Sequence, residues 1–128
     1  MINAQQVRDI MTRYIALVDA NDVDAILALY ADNAVVEDPV GQPPHVGIDA
    51  IAAFYRDGMG QMQVRARLEG PVRATDNGWG AMPFRVEVLG DEPCHIEVID
   101  VMEFDADGRI RSMKAYWGAL NYIPGEGT

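Results

Sequence analysis

The hydrophobic period of this chain changes once, from about 3.6 residues before Gly60 to about 2 after it, and no other feature narrows the fold as much. Ahead of the change, Val7, Ile10, Met11, Tyr14 and Val18 recur at i, i+3, i+4, i+7 and i+11. That spacing predicts a helix over 4–20 with Tyr14 in the middle of its buried stripe. Asn21-Asp22 then supplies a stop and a fresh N-cap, and Val23, Ile26, Leu27 and Tyr30 form the stripe of a shorter second helix. Ala34–Val40 reads as a short strand broken by Pro39, followed by a loop marked by Gly41, Pro43 and Pro44. A third helix is expected from Ile48 to Arg56, with Ile51, Phe54 and Tyr55 facing inward and Gly58 as its C-terminal cap.

Beyond Gly60 the alternation predicts strands at 64–69, 71–75, 79–89, 94–104 and 109–117. Asp76-Asn77-Gly78, Gly90-Asp91-Glu92-Pro93 and Asp105-Ala106-Asp107-Gly108 separate the later ones, and such turns join antiparallel neighbours. The expected class is therefore α+β, three N-terminal helices packed against a curved, mainly antiparallel sheet. With 128 residues and no repeat or linker, the chain reads as a single domain over 1–128.

Charge limits the partners. Twenty Asp and Glu against ten Lys and Arg give a formal charge of −10, which opposes binding to nucleic acid or an anionic membrane. No apolar run approaches the roughly 20 residues of a membrane span. The first ten residues, MINAQQVRDI, carry neither a basic nor an apolar leader segment, so a cytoplasmic location is expected. Cys94 is the sole cysteine, and an intrachain disulfide needs two.

Two acids break the alternation. In the strand 94–104 one face carries Cys94, Ile96, Val98, Asp100, Met102 and Phe104. Slipping the register to expose Asp100 would also expose its apolar neighbours, so Asp100 is expected inside, where desolvation favours the neutral carboxyl. Asp38 shares parity with Val36 and Val40, and Pro39 holds it extended. Tyr14, Tyr30 and Tyr55 lie on inward stripes and offer hydroxyls to the same interior. An apolar pocket with a base and neutral hydrogen-bond donors suits proton abstraction next to a carbonyl.

Other chemistries find less support. His45 sits in a Pro-rich loop and His95 on the outer face of its strand, so no metal-ligand spacing is visible. Gly58-Met59-Gly60 and Gly78-Trp79-Gly80 precede strands rather than helices, unlike a phosphate-binding loop. Cys94 begins a strand with no base beside it, as a packed thiol does.

Order and spacing across nearly the whole chain resemble the bacterial Δ5-3-ketosteroid isomerases of the nuclear-transport-factor-2-like superfamily. The matching segments are Arg13-Tyr14-Ile15, Tyr30-Ala31-Asp32, Val36-Glu37-Asp38-Pro39 with Gly41-Gln42-Pro43-Pro44, Ala53-Phe54-Tyr55-Arg56, Gly80-Ala81-Met82-Pro83-Phe84-Arg85, Ile99-Asp100-Val101-Met102 and Ala115-Tyr116-Trp117. The resemblance implies a cone-shaped fold, a homodimer and a cofactor-free, metal-free shift of a steroid double bond from Δ5 to Δ4. It implies Asp38 as general base, Tyr14 and protonated Asp100 as donors to the 3-oxygen, and Tyr30 and Tyr55 as their supporting hydroxyls. The neutral acid of that family is a known example of pKa tuning. Val40, Met82, Phe84, Val86, Met113 and Trp117 would line the steroid cavity. A cone fold hosts other activities too. A polyketide cyclase would also use an acid in an apolar cavity, and a non-catalytic module would bind small hydrophobes there. An epoxide hydrolase of the superfamily would resemble an Asp-Arg-Asp set, whereas Arg85 alternates away from the interior.

Overall fold

Asn3 caps the first helix through a capping box with Gln6, and the helix α1 runs Ala4–Asp19 with Val7, Met11, Tyr14 and Val18 buried along one stripe. Residues 1–125 are described by a computed structural model; the expected domain over 1–128 extends to three residues outside that range. A short helix α2 (Val23–Leu27) is capped by Asp22, and α3 spans Ile48–Asp57 with Ile51 and Tyr55 buried.

Among the described residues, eight strands complete the fold: β1 (Tyr30–Glu37), β2 (His45–Val46), β3 (Gln63–Leu68), β4 (Arg73–Ala74), β5 (Trp79–Leu89), β6 (Cys94–Phe104), β7 (Ile110–Tyr116) and β8 (Tyr122–Pro124). Their order is β2-β1-β7-β6-β5-β3, with β4 also on β5 and β8 also on β6. All pairs are antiparallel except β1 with β7. The result is an α+β cone, three α-helices packed on a curved, open mixed sheet.

Two sequence expectations change. Tyr30 does not close the stripe of α2; it opens β1, because its backbone pairs with Ile110 and that long-range ladder overrides helical periodicity. For the same reason the strand expected over 34–40 begins at Tyr30 and ends at Glu37, ahead of the Pro39 turn. The segments near 64–69 and 71–75 are not neighbours of each other. Both lie along the same edge of β5, β3 against 84–89 and β4 against Gly80 and Ala81.

Helix α1 crosses the sheet at Gly80. A Cβ there would lie 2.8 Å from Val7 Cγ1 and inside the radius of Met11 Sδ, both fully buried side chains. Gly80→Ala is therefore expected to cost about 1–3 kcal/mol through overpacking, read as a lower urea midpoint at unchanged slope. An unchanged midpoint would mean that α1 shifts freely on the sheet.

Candidate functional site

Register places the two pattern-breaking acids together. Asp100 lies midway along β6, opposite Met82 of β5 and Ala115 of β7. The parallel ladder of β1 and β7 sets Glu37 beside Lys114, so Asp38 arrives next to Ala115, and Val40 N–H donates to the Ala115 carbonyl at 2.9 Å. Asp38 and Asp100 thus flank the same level of β7, with backbones two strand spacings, about 10 Å, apart.

Between them opens a cavity of about 220 Å³. Tyr14, Asp38, Tyr55, Asp100 and Trp117 give it polar atoms, and most of the remaining wall is apolar. The tyrosine hydroxyls form a chain: Tyr30 to Tyr55 at 2.7 Å and Tyr55 to Tyr14 at 2.8 Å, all three side chains buried. Hydroxyls in series polarise one another, so a chain running from Tyr30 through Tyr55 leaves the Tyr14 proton free to donate into the cavity. Burial, the neighbouring Tyr30 and Asp100 hold the Tyr14 phenol well above its ordinary pKa, as an un-ionised donor.

Asp100 is 1% exposed, and neither carboxylate oxygen has a hydrogen-bond partner. Burial first, and the negative charge of Asp38 second, push its pKa well above the usual carboxylate range. Protonated, it presents an O–H with no acceptor in the protein. Such a group is an invitation to a ligand oxygen.

Asp38 differs in a way that matters. Trp117 Nε1–H donates to its Oδ1 at 2.7 Å, a charge-assisted bond that favours the carboxylate. Burial raises its pKa, while the Trp117 bond and the charge of His45 oppose that rise. His45 pairs with Val36 through β2 and stacks on Phe54 with ring centroids 4.5 Å apart, so it belongs to the site's surroundings rather than to a detached loop. The two acids therefore have opposite environments: one stripped of partners, one supplied with a donor. Opposed environments of this kind separate an acid from a base.

The structure brings Tyr14, Asp38, Tyr55, Asp100, Phe84, Val86 and Trp117 to one cavity, with Tyr30 behind Tyr55. Val40, Met82 and Met113 are corrections. Val40 follows the turn after Asp38 and is 39% exposed, facing a separate groove with Ile99 and Tyr116. Met82 and Met113 have inward parity but are fully packed in the hydrophobic core and do not line the cavity. Sequence reasoning also passed over Met59, Met62, Val64 and Val88, which line the cavity beyond Phe54. The alternation of β3 and β5 contained the two valines, whereas the two methionines fall in an irregular turn with no period to read. Among the described residues, no three His, Cys, Asp or Glu side chains gather as metal ligands, and no helix is long and apolar enough to cross a membrane.

A curved sheet closed by helices over an apolar pocket that holds two acids, one hydrogen-bonded and one without a partner, defines a protein of the cone-fold class. The SnoaL-like domain model matches residues 11–113. A steroid Delta-isomerase of Nocardioides simplex is 42% identical over 113 residues, covering 88% of this chain and 89% of that relative. This chain belongs to the SnoaL-like family, in its steroid Delta-isomerase group. The epoxide hydrolase LasB of Streptomyces lasalocidi is 31% identical over 119 residues, which span 89% of this chain but 42% of LasB. The solved structure of SalBIII, described as an epoxide hydrolase/cyclase-like enzyme in pyran ring formation in polyether salinomycin, superposes with a TM-score of 0.86 at 25% identity, covering 94% of this chain and 97% of that one.

Proposed function

We propose that this protein is a steroid isomerase that moves the double bond of a 3-oxo-Δ5-steroid to Δ4 through a dienolate. The observation that carries this reading is the unpartnered, buried carboxyl of Asp100 sharing a cavity with the Tyr14 hydroxyl and with Asp38. The Asp38 carboxylate removes a proton from C4, and the electron pair moves into the dienolate. The 3-oxygen, now negative, takes hydrogen bonds from Tyr14 and neutral Asp100. Asp38 then returns the same proton to C6, the ketone re-forms, and atoms and charge balance with no cofactor.

Magnitudes are adequate. A positioned base contributes roughly 10²–10⁴ in rate. Each oxyanion donor adds on the order of 3 kcal/mol, and the low-dielectric cavity strengthens both. The apolar wall matches a rigid hydrocarbon ligand with one polar end. We also place the protein as a homodimer. Ile99 and Tyr116 pair across β6 and β7 and stand about half exposed on the sheet face away from the cavity, a patch that a second copy would bury.

Purified protein is expected to convert 5-androstene-3,17-dione to its conjugated 4-ene isomer, followed as rising enone absorbance. No rise above the uncatalysed rate at micromolar protein would reject the isomerase. The similarity to LasB and SalBIII makes epoxide opening the second reading. Against it stands Arg85, which lies on the strand face opposite Phe84 and Val86 and contacts Glu87 at 3.3 Å, outside the cavity. Turnover of an epoxide without any enone product would favour that reading instead.

A further inference from the structure

Between α3 and β3 the chain makes a 3₁₀ turn, Met59–Gln61, and this irregular segment supplies Met59, Met62 and then Val64 to the cavity wall. Its own backbone bonds are few: Gln61 N–H to the Gly58 carbonyl at 3.0 Å and Met62 N–H to the Met59 carbonyl at 3.1 Å. Gln61 Nε2–H also donates to the Arg56 carbonyl at 3.2 Å, and one further side chain makes the rest of its polar contacts with the body of the protein. Asn21 Nδ2 donates to the Met59 carbonyl at 3.0 Å and to the Met62 carbonyl at 3.1 Å, and Asn21 Oδ1 accepts from Val64 N–H at 2.8 Å. Both amide donors and an acceptor are spent on this one segment.

The position of that asparagine is telling. α1 ends in a Schellman motif, with Asn21 N–H bonded to the Val18 carbonyl and Asp22 N–H to the Leu17 carbonyl, both at 3.0 Å. Asn21 itself has φ 57°, the left-handed conformation for which glycine is the least strained residue. Backbone geometry alone therefore calls for glycine. The asparagine side chain adds the three bonds that glycine lacks.

The wall it holds is far from the reacting end. Val64 pairs with Val88, and Val88 with Cys94, six residues along β6 from Asp100, a separation of about 20 Å at strand rise. Ile96, at roughly 13 Å by the same rise, also lines the cavity. Val18, Met59, Met62, Val64, Val88 and Ile96 give that half of the cavity no hydrogen-bonding side chain.

We propose that Asn21 is a positioning residue for the far wall of the cavity, and that through it the site selects ligands whose far end is hydrocarbon and long enough to reach Met59, Met62 and Val64. The ligand-selection half of this statement rests on the isomerase reading, because it takes the polar end of the ligand to sit at Asp100. The latch half does not.

Asn21→Gly tests both, since glycine keeps the left-handed helix end and removes only the side-chain bonds. Two phenols of different length serve as probes: equilenin, with four rings, and 2-naphthol, its two-ring truncation. In the variant the equilenin Kd is expected to rise about tenfold, the scale of a hydrophobic wall displaced by roughly one methylene, while the 2-naphthol Kd stays at the wild-type value. Hydrogen exchange at the Val64 amide should accelerate without any ligand. Equal weakening of both phenols, or an unchanged equilenin Kd, would overturn the selection, and unchanged Val64 exchange would overturn the latch. Faster Val64 exchange in a protein whose wild type binds no equilenin would support the latch while rejecting the isomerase reading.

Discussion

Asp38→Asn is expected to lower kcat for a 5-ene-3-oxosteroid by at least about 10²–10⁴-fold, the contribution of a positioned base. Asparagine has nearly the same shape, and its carbonyl oxygen still accepts from Trp117 Nε1–H, now 2.7 Å from Asp38 Oδ1. What it lacks is a lone pair basic enough to hold the C4 proton in transit to C6. Binding of equilenin should persist, because the proposed donors to its phenolic oxygen, Tyr14 and Asp100, are untouched. Loss of the Asp38 charge removes one of two causes that keep Asp100 neutral, and burial, the larger cause, remains. Steady-state kinetics and a fluorescence titration on the same preparation separate these effects. A variant with nearly full kcat would show that the proton is carried elsewhere. In the wild type, the acid limb of kcat/KM should lie above the ordinary aspartate range, since burial raises the Asp38 pKa, and activity should be lost as pH falls through that raised value.

Much of this site was visible before the fold was known, for a reason tied to β-structure. Period 2 assigns every residue of a strand to a face, so one inward acid in 94–104 is conspicuous, and β6 has those bounds. Tyr14 and Tyr55 were legible from the helical period in the same way. Tyr30 was assigned inward by the wrong element. Its burial came from a parallel pairing with residues eighty positions away, which no local window contains. That ladder also decides where Asp38 lies relative to Asp100, so the distance between base and acid was beyond local pattern. Met82 and Met113 show the opposite limit. Parity reports which face a side chain takes, yet cannot separate the floor of a cavity from solid core, and both methionines are fully buried in the core. Asn21 was legible as a helix stop, while its three side-chain bonds depend on where the 3₁₀ turn docks.

Asp100 should be neutral in the folded protein and ionised in the unfolded chain across a span of pH that includes mild acid, and this has two measurable consequences. The first is thermodynamic. Its folded pKa is raised and its unfolded value is about 3.9, so between them the native state binds one more proton than the denatured state. Its contribution to stability is complete below the unfolded pKa and declines as pH rises towards the folded pKa. The expected slope is about 1.4 kcal/mol of lost stability per pH unit. Asp100→Asn removes that titration, so the stability of wild type minus that of the variant should fall along this slope, read from urea midpoints at a series of pH values. A difference that stays level would mean that Asp100 is ionised in the native cavity. The second consequence is catalytic. Asp100→Leu suits the apolar surroundings and deletes the donor, and kcat is expected to drop about 10²–10³-fold, as when one oxyanion donor is lost. An infrared band of the neutral carboxylic acid, present in wild type at neutral pH and missing from the leucine variant, ties both losses to one proton. Absence of that band in the wild type would remove Asp100 from the role of donor and leave Tyr14 to hold the dienolate oxygen alone.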